Sequence, residues 1–352
     1  MAGLNESNGM KIKHKTGVLL VNLGTPDSPK PADVKKYLLE FLTDDRVIDF
    51  GWFKRNLLVR GIIVPFRYKK SAKLYKAIWD DKNGSPLLFH TRNLLQKVKQ
   101  KLPEDYVVEM AMRYQSPSIE NGLEALRAQQ VDDIIVLPLF PHYASSSSGS
   151  TVQKAYEVVS KWNGLPGLRF IKCFYDHPKF IQAFVNKIKE HNVNDYDHVV
   201  FSYHGLPERH MKKVDETGKH CLQENYACCD SICGANRLCY RAQCKATTDL
   251  LAEALGWKQE NYTMSFQSRL GRDPWVKPYT DLELKRLAEE GKKKVLVICP
   301  AFVADCLETI YEIGVEYQEE FESFGGEKVQ LVESLNDSDD WVDTVVELVL
   351  KG

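Results

Sequence analysis

The sequence predicts an α/β fold of two similar, doubly wound (Rossmann- or flavodoxin-like) lobes, each with a parallel sheet, facing each other across a cleft. Three observations carry this. Short apolar, β-branched runs alternate with helical periodicity over nearly all of the 352 residues, and such alternation gives parallel sheets covered on both faces. A chain of this length has room for two domains of ordinary size. Finally, Val136-Leu137-Pro138-Leu139-Phe140 is echoed by Val297-Ile298-Cys299-Pro300-Ala301-Phe302, two strands that each run into proline and an aromatic residue.

The elements follow in order. A buried strand over Gly17–Leu23 is closed by Gly24-Thr25-Pro26, and a helix follows over Asp33–Leu42. The region from Trp52 to Trp79 mixes large apolar residues, Leu58 and Ile62 among them, with cations such as Lys54, Arg55, Arg60, Arg67, Lys69 and Lys70. It reads as an amphipathic helix pair packed on a sheet, or as a lip with apolar side chains toward a flat ligand. Strands over Tyr106–Met112 and Asp133–Pro138 flank a helix over Ser118–Gln129, and a serine-rich loop leads to a helix over Val152–Trp162. The second half expects strands at Leu168–Phe174, His198–Tyr203, Tyr262–Gln267, Lys294–Cys299 and near Val329. Its helices run over Lys179–His191, Cys244–Leu255, Asp281–Glu290, Asp305–Phe321 and Asp339–Leu350.

Ser145 to Ser150 is too short a polar stretch to be a linker, so a close lobe interface is expected. The expected division is 14–149 plus 329–352 for one lobe and 150–328 for the other, with an insertion at 215–241. A net charge of −1 speaks against nucleic-acid partners. The stretch from Met1 to Thr16 is polar and basic, unlike a signal peptide, and no apolar run reaches membrane-spanning length.

Chemistry concentrates in three places. His204 follows a β-rich run and precedes Gly205-Leu206-Pro207, a turn. That sets an imidazole at the carboxyl end of a strand, where ligands of open α/β sheets gather; the plainer alternative is a structural histidine bonded to a loop carbonyl. Glu308, Glu312 and Glu316 repeat at i, i+4 among apolar neighbours, so on a helix they form a partly buried acidic stripe able to bind cations or relay protons. Six of nine cysteines lie between Cys221 and Cys244. With no C-x2-C pair, this spacing favours a [2Fe–2S] centre over zinc or free thiols.

At these residues the chain resembles a ferrochelatase. The marks are Val21-Asn22-Leu23-Gly24-Thr25-Pro26, Gly84-Ser85-Pro86-Leu87, Met112-Arg113-Tyr114, Pro141-His142-Tyr143, Ser202-Tyr203-His204-Gly205-Leu206-Pro207, Phe266-Gln267-Ser268-Arg269, Pro274-Trp275 and Leu307-Glu308-Thr309-Ile310-Tyr311-Glu312. The resemblance implies a chelatase-like fold with a porphyrin cleft, and a lyase that inserts Fe²⁺ into protoporphyrin IX to form protohaem. It implies that His204 and Glu308 are catalytic and meet the Fe²⁺ substrate, with Glu312 and Glu316 as an acidic path. Arg113, Tyr114, Trp275, Ile62 and Leu58 correspond to positions near the macrocycle. The segment from Asp215 to Arg241 is a departure, similar to the subtype of some bacterial ferrochelatases that holds an internal [2Fe–2S] cluster. Cys221, Cys228, Cys229 and Cys239 are the chosen ligands, with Cys233 in reserve.

The partners expected are protoporphyrin IX and ferrous iron, without nucleic acid. The chain is expected to be bacterial and cytoplasmic, with peripheral membrane contact left open, as a monomer or homodimer. Three rivals stand beside this: a chelatase for coproporphyrin III or for cobalt and an earlier tetrapyrrole, a non-catalytic tetrapyrrole or iron carrier, and a redox protein built around the cysteines.

Overall fold

A computed structural model describes residues 13–269, 271 and 273–351; the polar N-terminal stretch lies outside them up to residue 12. Among the described residues, eight strands form two four-stranded parallel sheets. The first is ordered β2-β1-β3-β4, from β1 (Thr16–Gly24), β2 (Tyr106–Tyr114), β3 (Asp133–Pro138) and β4 (Gly167–Phe170). The second is ordered β6-β5-β7-β8, from β5 (His198–His204), β6 (Tyr262–Gln267), β7 (Lys294–Ile298) and β8 (Lys328–Leu331).

The apolar runs work as strands because both faces are covered. Along β1, Val18 and Leu20 enter one core while Leu19 and Val21 enter another. The same alternation splits β5, with Val199, Phe201 and Tyr203 on one side and Val200 on the other. The largest core is shared. Val18 and Leu20 of the first sheet and Phe201 and Leu296 of the second belong to one continuous apolar cluster, filled between them by Phe180, Phe184, Leu251 and Trp341. Burial of that kind, worth roughly 1.5–3 kcal/mol per large side chain, ties the two sheets together.

Several boundaries differ from the sequence expectation. β4 pairs with β3 and β8 pairs with β7, so Gly167–Phe170 sits in the first sheet and Lys328–Leu331 in the second, contrary to a division at 149/150 and 329. Backbone pairing sets membership here, and neither strand's composition reveals its neighbour. The expected helix over Asp305–Phe321 is a π-helix over Leu307–Tyr317 followed by an α-helix over Gln318–Ser323. The Trp52–Trp79 pair is one helical run, α over Trp52–Leu58 and Val64–Ile78 with a π turn at Val59–Ile63 between. Its apolar residues do not all pack inward: Phe66 is 81% exposed and Ile62 54%. Two helices were not anticipated, Pro86–Lys101 and Glu208–Val214.

Gly24 ends β1 at φ +122°, and a side chain there would collide with the backbone carbonyl of Tyr114. Gly24→Ala must therefore strain a left-handed residue and push β1 off β2. We expect a loss of about 3 kcal/mol in urea unfolding.

Candidate active site

β5 is buried along its length and ends at a half-buried His204. The Nδ1 atom lies 2.6 Å from the carbonyl oxygen of Gly205. A carbonyl can only accept, so Nδ1 carries a proton, and in the neutral ring Nε2 is the nitrogen with the free lone pair. The bond to a loop carbonyl thus occupies one ring nitrogen and prepares the other. Gly205 allows the turn. Its N–H donates to the Gln267 carbonyl at 2.8 Å, and a side chain would come within 2.7 Å of that oxygen and 3.2 Å of the Trp275 ring. Trp275, bridged to Pro207, therefore stands at the same turn as the histidine.

The acidic stripe is brought to this point by its helix start. Thr309 accepts from the Cys306 N–H at 3.0 Å and donates to Asp305 at 2.9 Å, while Asn336 donates to the other Asp305 oxygen at 2.7 Å. Wider π bonding then changes the spacing. Four residues overshoot one α turn but fall just short of one π turn, so Glu308, Glu312 and Glu316 still share a stripe. It runs from interior to surface: Glu308 and Glu312 are half-buried and Glu316 is exposed.

Gln267 locks the stripe to the strand ends. It is 1% exposed, and its Nε2 donates to the Glu308 carbonyl at 2.9 Å and to Glu312 Oε2 at 3.1 Å. Ser268, at φ 66°, donates to the same Glu312 oxygen at 2.5 Å, and Tyr317 donates to Glu312 Oε1 at 3.2 Å. Burial holds the Glu312 carboxyl above its ordinary value, against the lowering pull of Ser268, His204 and Gln267, and the Glu308 charge adds to the rise. Burial also raises Glu320, helped by Glu316, Asp281 and Glu312. The acidic set thus extends past Glu316, which the four-residue spacing alone did not signal.

Arg113 and Tyr114 end β2. The Arg113 guanidinium donates to Asp44 and Ser150, each at 2.6 Å, and the Tyr114 hydroxyl donates to Asp44 at 2.9 Å. Tyr114 is 0% exposed, its ring packed in one apolar cluster with Tyr37, Tyr75 and Leu307. A second acid, Asp49, joins the loop before the lip to the helix Glu208–Val214 just beyond His204. It accepts from Arg209 at 2.7 Å and Lys213 at 2.6 Å. Burial alone would raise its carboxyl, but those donors, with His210 close by, hold it well below the usual range.

In the cysteine segment, Cys228, Cys229 and Cys239 are buried and Cys221 is half-buried. Cys228 Sγ lies 3.9 Å from Cys229 Sγ, and the free thiol of Cys239 interacts with those of Cys221 and Cys229. The influence of Cys221, ahead of burial, pushes the Cys239 thiol up to about 11, while Cys221 is lowered. Cys233 is exposed, 3.8 Å from His220, and Cys244 is buried in the following helix. Leu222, Asn225 and Tyr226 adopt left-handed φ, costing about 1 kcal/mol each, in the stretch that brings these thiols together. Tyr226 donates to Glu208 at 2.7 Å, pinning the segment to the helix after His204. Among the described residues no three His, Cys, Asp or Glu side chains form a ready cage for one metal ion.

A family profile described as Ferrochelatase matches residues 15–352. The ferrochelatase of Legionella pneumophila (strain Lens) is 44% identical over 335 residues, 95% of this chain and 98% of that one. That of Coxiella burnetii (strain Dugway 5J108-111) is 42% identical over 345 residues, 97% and 95% of the two chains. Among solved structures, SirB from Bacillus subtilis with Fe3+ superposes with a TM-score of 0.55 over 96% of this chain and 95% of that one, at 14% identity, a likeness of fold.

The Asp49 cluster makes a pH prediction. A carboxyl lowered on folding stabilises fully above its ordinary value of 3.8 and loses that contribution as pH falls through the lower folded value. Asp49→Asn should cost about 2 kcal/mol at pH 7. In urea titrations the gap from wild type should stay constant down to about pH 4 and close only in stronger acid.

Proposed function

The chain belongs to the ferrochelatase family, and on that premise we propose that it inserts Fe²⁺ into protoporphyrin IX between His204 and the stripe of Glu308 and Glu312. It is a metal chelatase of haem biosynthesis, a lyase. The observation that carries the site reading is the bare Nε2 of His204, left by the bond from Nδ1 to the Gly205 carbonyl.

The chemistry asks for such a group. Two pyrrole N–H bonds break as Fe²⁺ takes the four ring nitrogens, so two protons must leave. Nε2 of His204 is the base for a proton, and Glu312, its carboxyl held above the usual range, hands protons along the stripe toward exposed Glu316. Glu308 receives the incoming Fe²⁺ with His204, whose Nε2 is free to take a proton once the metal has passed to the ring nitrogens. One imidazole and one carboxylate hold the substrate metal loosely enough to give it up, unlike a closed four-ligand cage. Trp275 beside Gly205, with Leu58 and Ile62 of the lip, supplies apolar surface for the macrocycle. Exposed Trp52, Phe53 and Phe66 suit protoporphyrin rather than a more acidic ring, and suit peripheral contact with a lipid surface from the cytoplasm. Among the described residues no helix is long and apolar enough to cross a membrane.

The cysteine segment fits a [2Fe–2S] group. Such a cluster shares four thiolates between two irons, so its ligands need not converge on one point. Cys221, Cys228, Cys229 and Cys239 meet in linked pairs, beside a small cavity closed by Met211, Val214 and Asn236. These four would hold the cluster, which supplies one-electron redox chemistry, and Cys233 stays outside.

Two measurements test this. Under anaerobic conditions His204→Ala should slow Fe²⁺ insertion by about 10²-fold or more with protoporphyrin binding unchanged by fluorescence; an undiminished rate contradicts the role of His204. The purified protein should show a visible thiolate–iron absorption that Cys229→Ser and Cys239→Ser abolish and Cys233→Ser retains.

A further inference from the structure

We propose that a groove between the helix Ser150–Val159 and the edge strand β4 is a second binding site for a tetrapyrrole dicarboxylate, the chemistry that substrate and product of the reaction above share. The choice of ligand rests on that reading of the reaction. The groove measures about 870 Å³, within the range of small-molecule sites. One wall follows the helix from Gly149 to Ser160, about 16 Å at the helical rise. The other is Leu165, Pro166 and Leu168, entering β4. The groove shares no lining residue with the cleft: His204, Glu308, Glu312 and Trp275 do not border it.

Its two ends differ in chemistry. At one, the Arg46 guanidinium and the Tyr143 hydroxyl converge on Gly149, each 3.3 Å from where a side chain there would begin. Arg46 is aimed by Gln153, which accepts from its Nε at 2.6 Å, and by Ser145, which accepts from Nη1 at 2.9 Å. Exposed Lys172 follows β4 by two residues, at the carboxyl end of the sheet where the helix also begins. Neither Arg46 nor Lys172 forms an ion pair with a described residue. The acid of the groove, Glu157, is taken up by Lys154 at 3.8 Å and Gln153 at 3.0 Å. The rest is apolar and open: Leu165 is 67% exposed and Tyr156 55%, its ring 5.0 Å from that of Phe170.

An open apolar wall that ends at two unmatched cations suits a ligand with an apolar body and two anionic groups. A guanidinium fork beside a phenol hydroxyl fits one carboxylate, and Lys172 supplies the charge for a second. The propionates of a tetrapyrrole would take that end, with the ring along Tyr156 and Leu168. No histidine, cysteine or methionine lines the groove, so recognition rests on ring and propionates rather than on an axial bond to iron. The cationic end is also tied to β2. The Arg46 N–H donates to Asp44 at 2.8 Å, and Ser150, which opens the helix, bonds both Asp44 and Arg113. A macrocycle held here is one that has left the cleft or has yet to enter it.

The test titrates protohaem and, separately, protoporphyrin into the full chain and into the double variant Tyr156→Glu, Lys172→Glu. Both positions are exposed and lie outside the cleft, so melting temperature and kcat should match wild type. Wild type should bind two equivalents and the double variant one. Lys172→Glu alone should weaken the second equivalent about fivefold or more. A second equivalent seen with one of the two rings only, and lost in the variant, would support the site and name its occupant. One equivalent in wild type, beside normal Fe²⁺ insertion, would overturn the inference alone. Two equivalents of unchanged affinity in the double variant would also overturn it, as binding elsewhere. Displacement of the second equivalent by equimolar laurate would overturn the choice of a tetrapyrrole. A wild-type chain that binds two equivalents and inserts no Fe²⁺ would overturn the proposed reaction and leave the groove as a tetrapyrrole site.

Discussion

The site depends on one buried amide. Gln267 accepts from the Ser202 hydroxyl at 2.7 Å and from the Cys299 thiol at 3.7 Å through Oε1, while Nε2 donates to the Glu308 carbonyl and to Glu312. Its backbone carbonyl takes the Gly205 N–H. The side-chain amide is fully used, and the five bonds reach four places: β5, the residue after β7, the π-helix twice, and the turn after His204. A network this complete is rigid because leaving any member unpaired in a dry interior is costly. The imidazole and the acidic stripe thereby keep their distance without touching each other's reactive atoms.

The lobes are joined by a different means. A shared apolar core closes one side, and buried Asp49, from the loop before the lip, closes the other through Arg209 and Lys213 of the helix that begins four residues after His204. Breaking such buried pairs is expensive even where forming them gains little. They set the register of the two walls rather than adding much stability. The lip lies just past Asp49, anchored at its base and exposed along its length, which suits a surface that must meet a flat apolar ligand.

Much of this was legible in the chain. β1, β3 and β5 declare themselves through runs of β-branched residues, and His204 is marked by the Gly-Leu-Pro that stops its strand. Of the four cysteines chosen by resemblance, Cys228, Cys229 and Cys239 are buried and Cys221 is half-buried. The helix Pro86–Lys101 carried a usable signal, a Pro at its first position and apolar Leu87, Leu94, Leu95 and Val98, and was overlooked. The π-helix was not legible, because residues four apart share a stripe in both helix types and only hydrogen bonding separates them. Gln267 and Asp44 act through partners far along the chain, Glu312 and Arg113, and no local pattern announces such pairings. The role drawn for Tyr114 shows the converse: its place in a motif was clear, but only packing reveals that it faces inward.

The most direct test is to locate the metal. Co²⁺ diffused into crystals of the enzyme and traced by anomalous scattering should appear in the cleft, within bonding distance of His204 Nε2 and beside a Glu308 or Glu312 oxygen. Cobalt bound only elsewhere, with Nε2 engaged by a protein donor, would contradict the account.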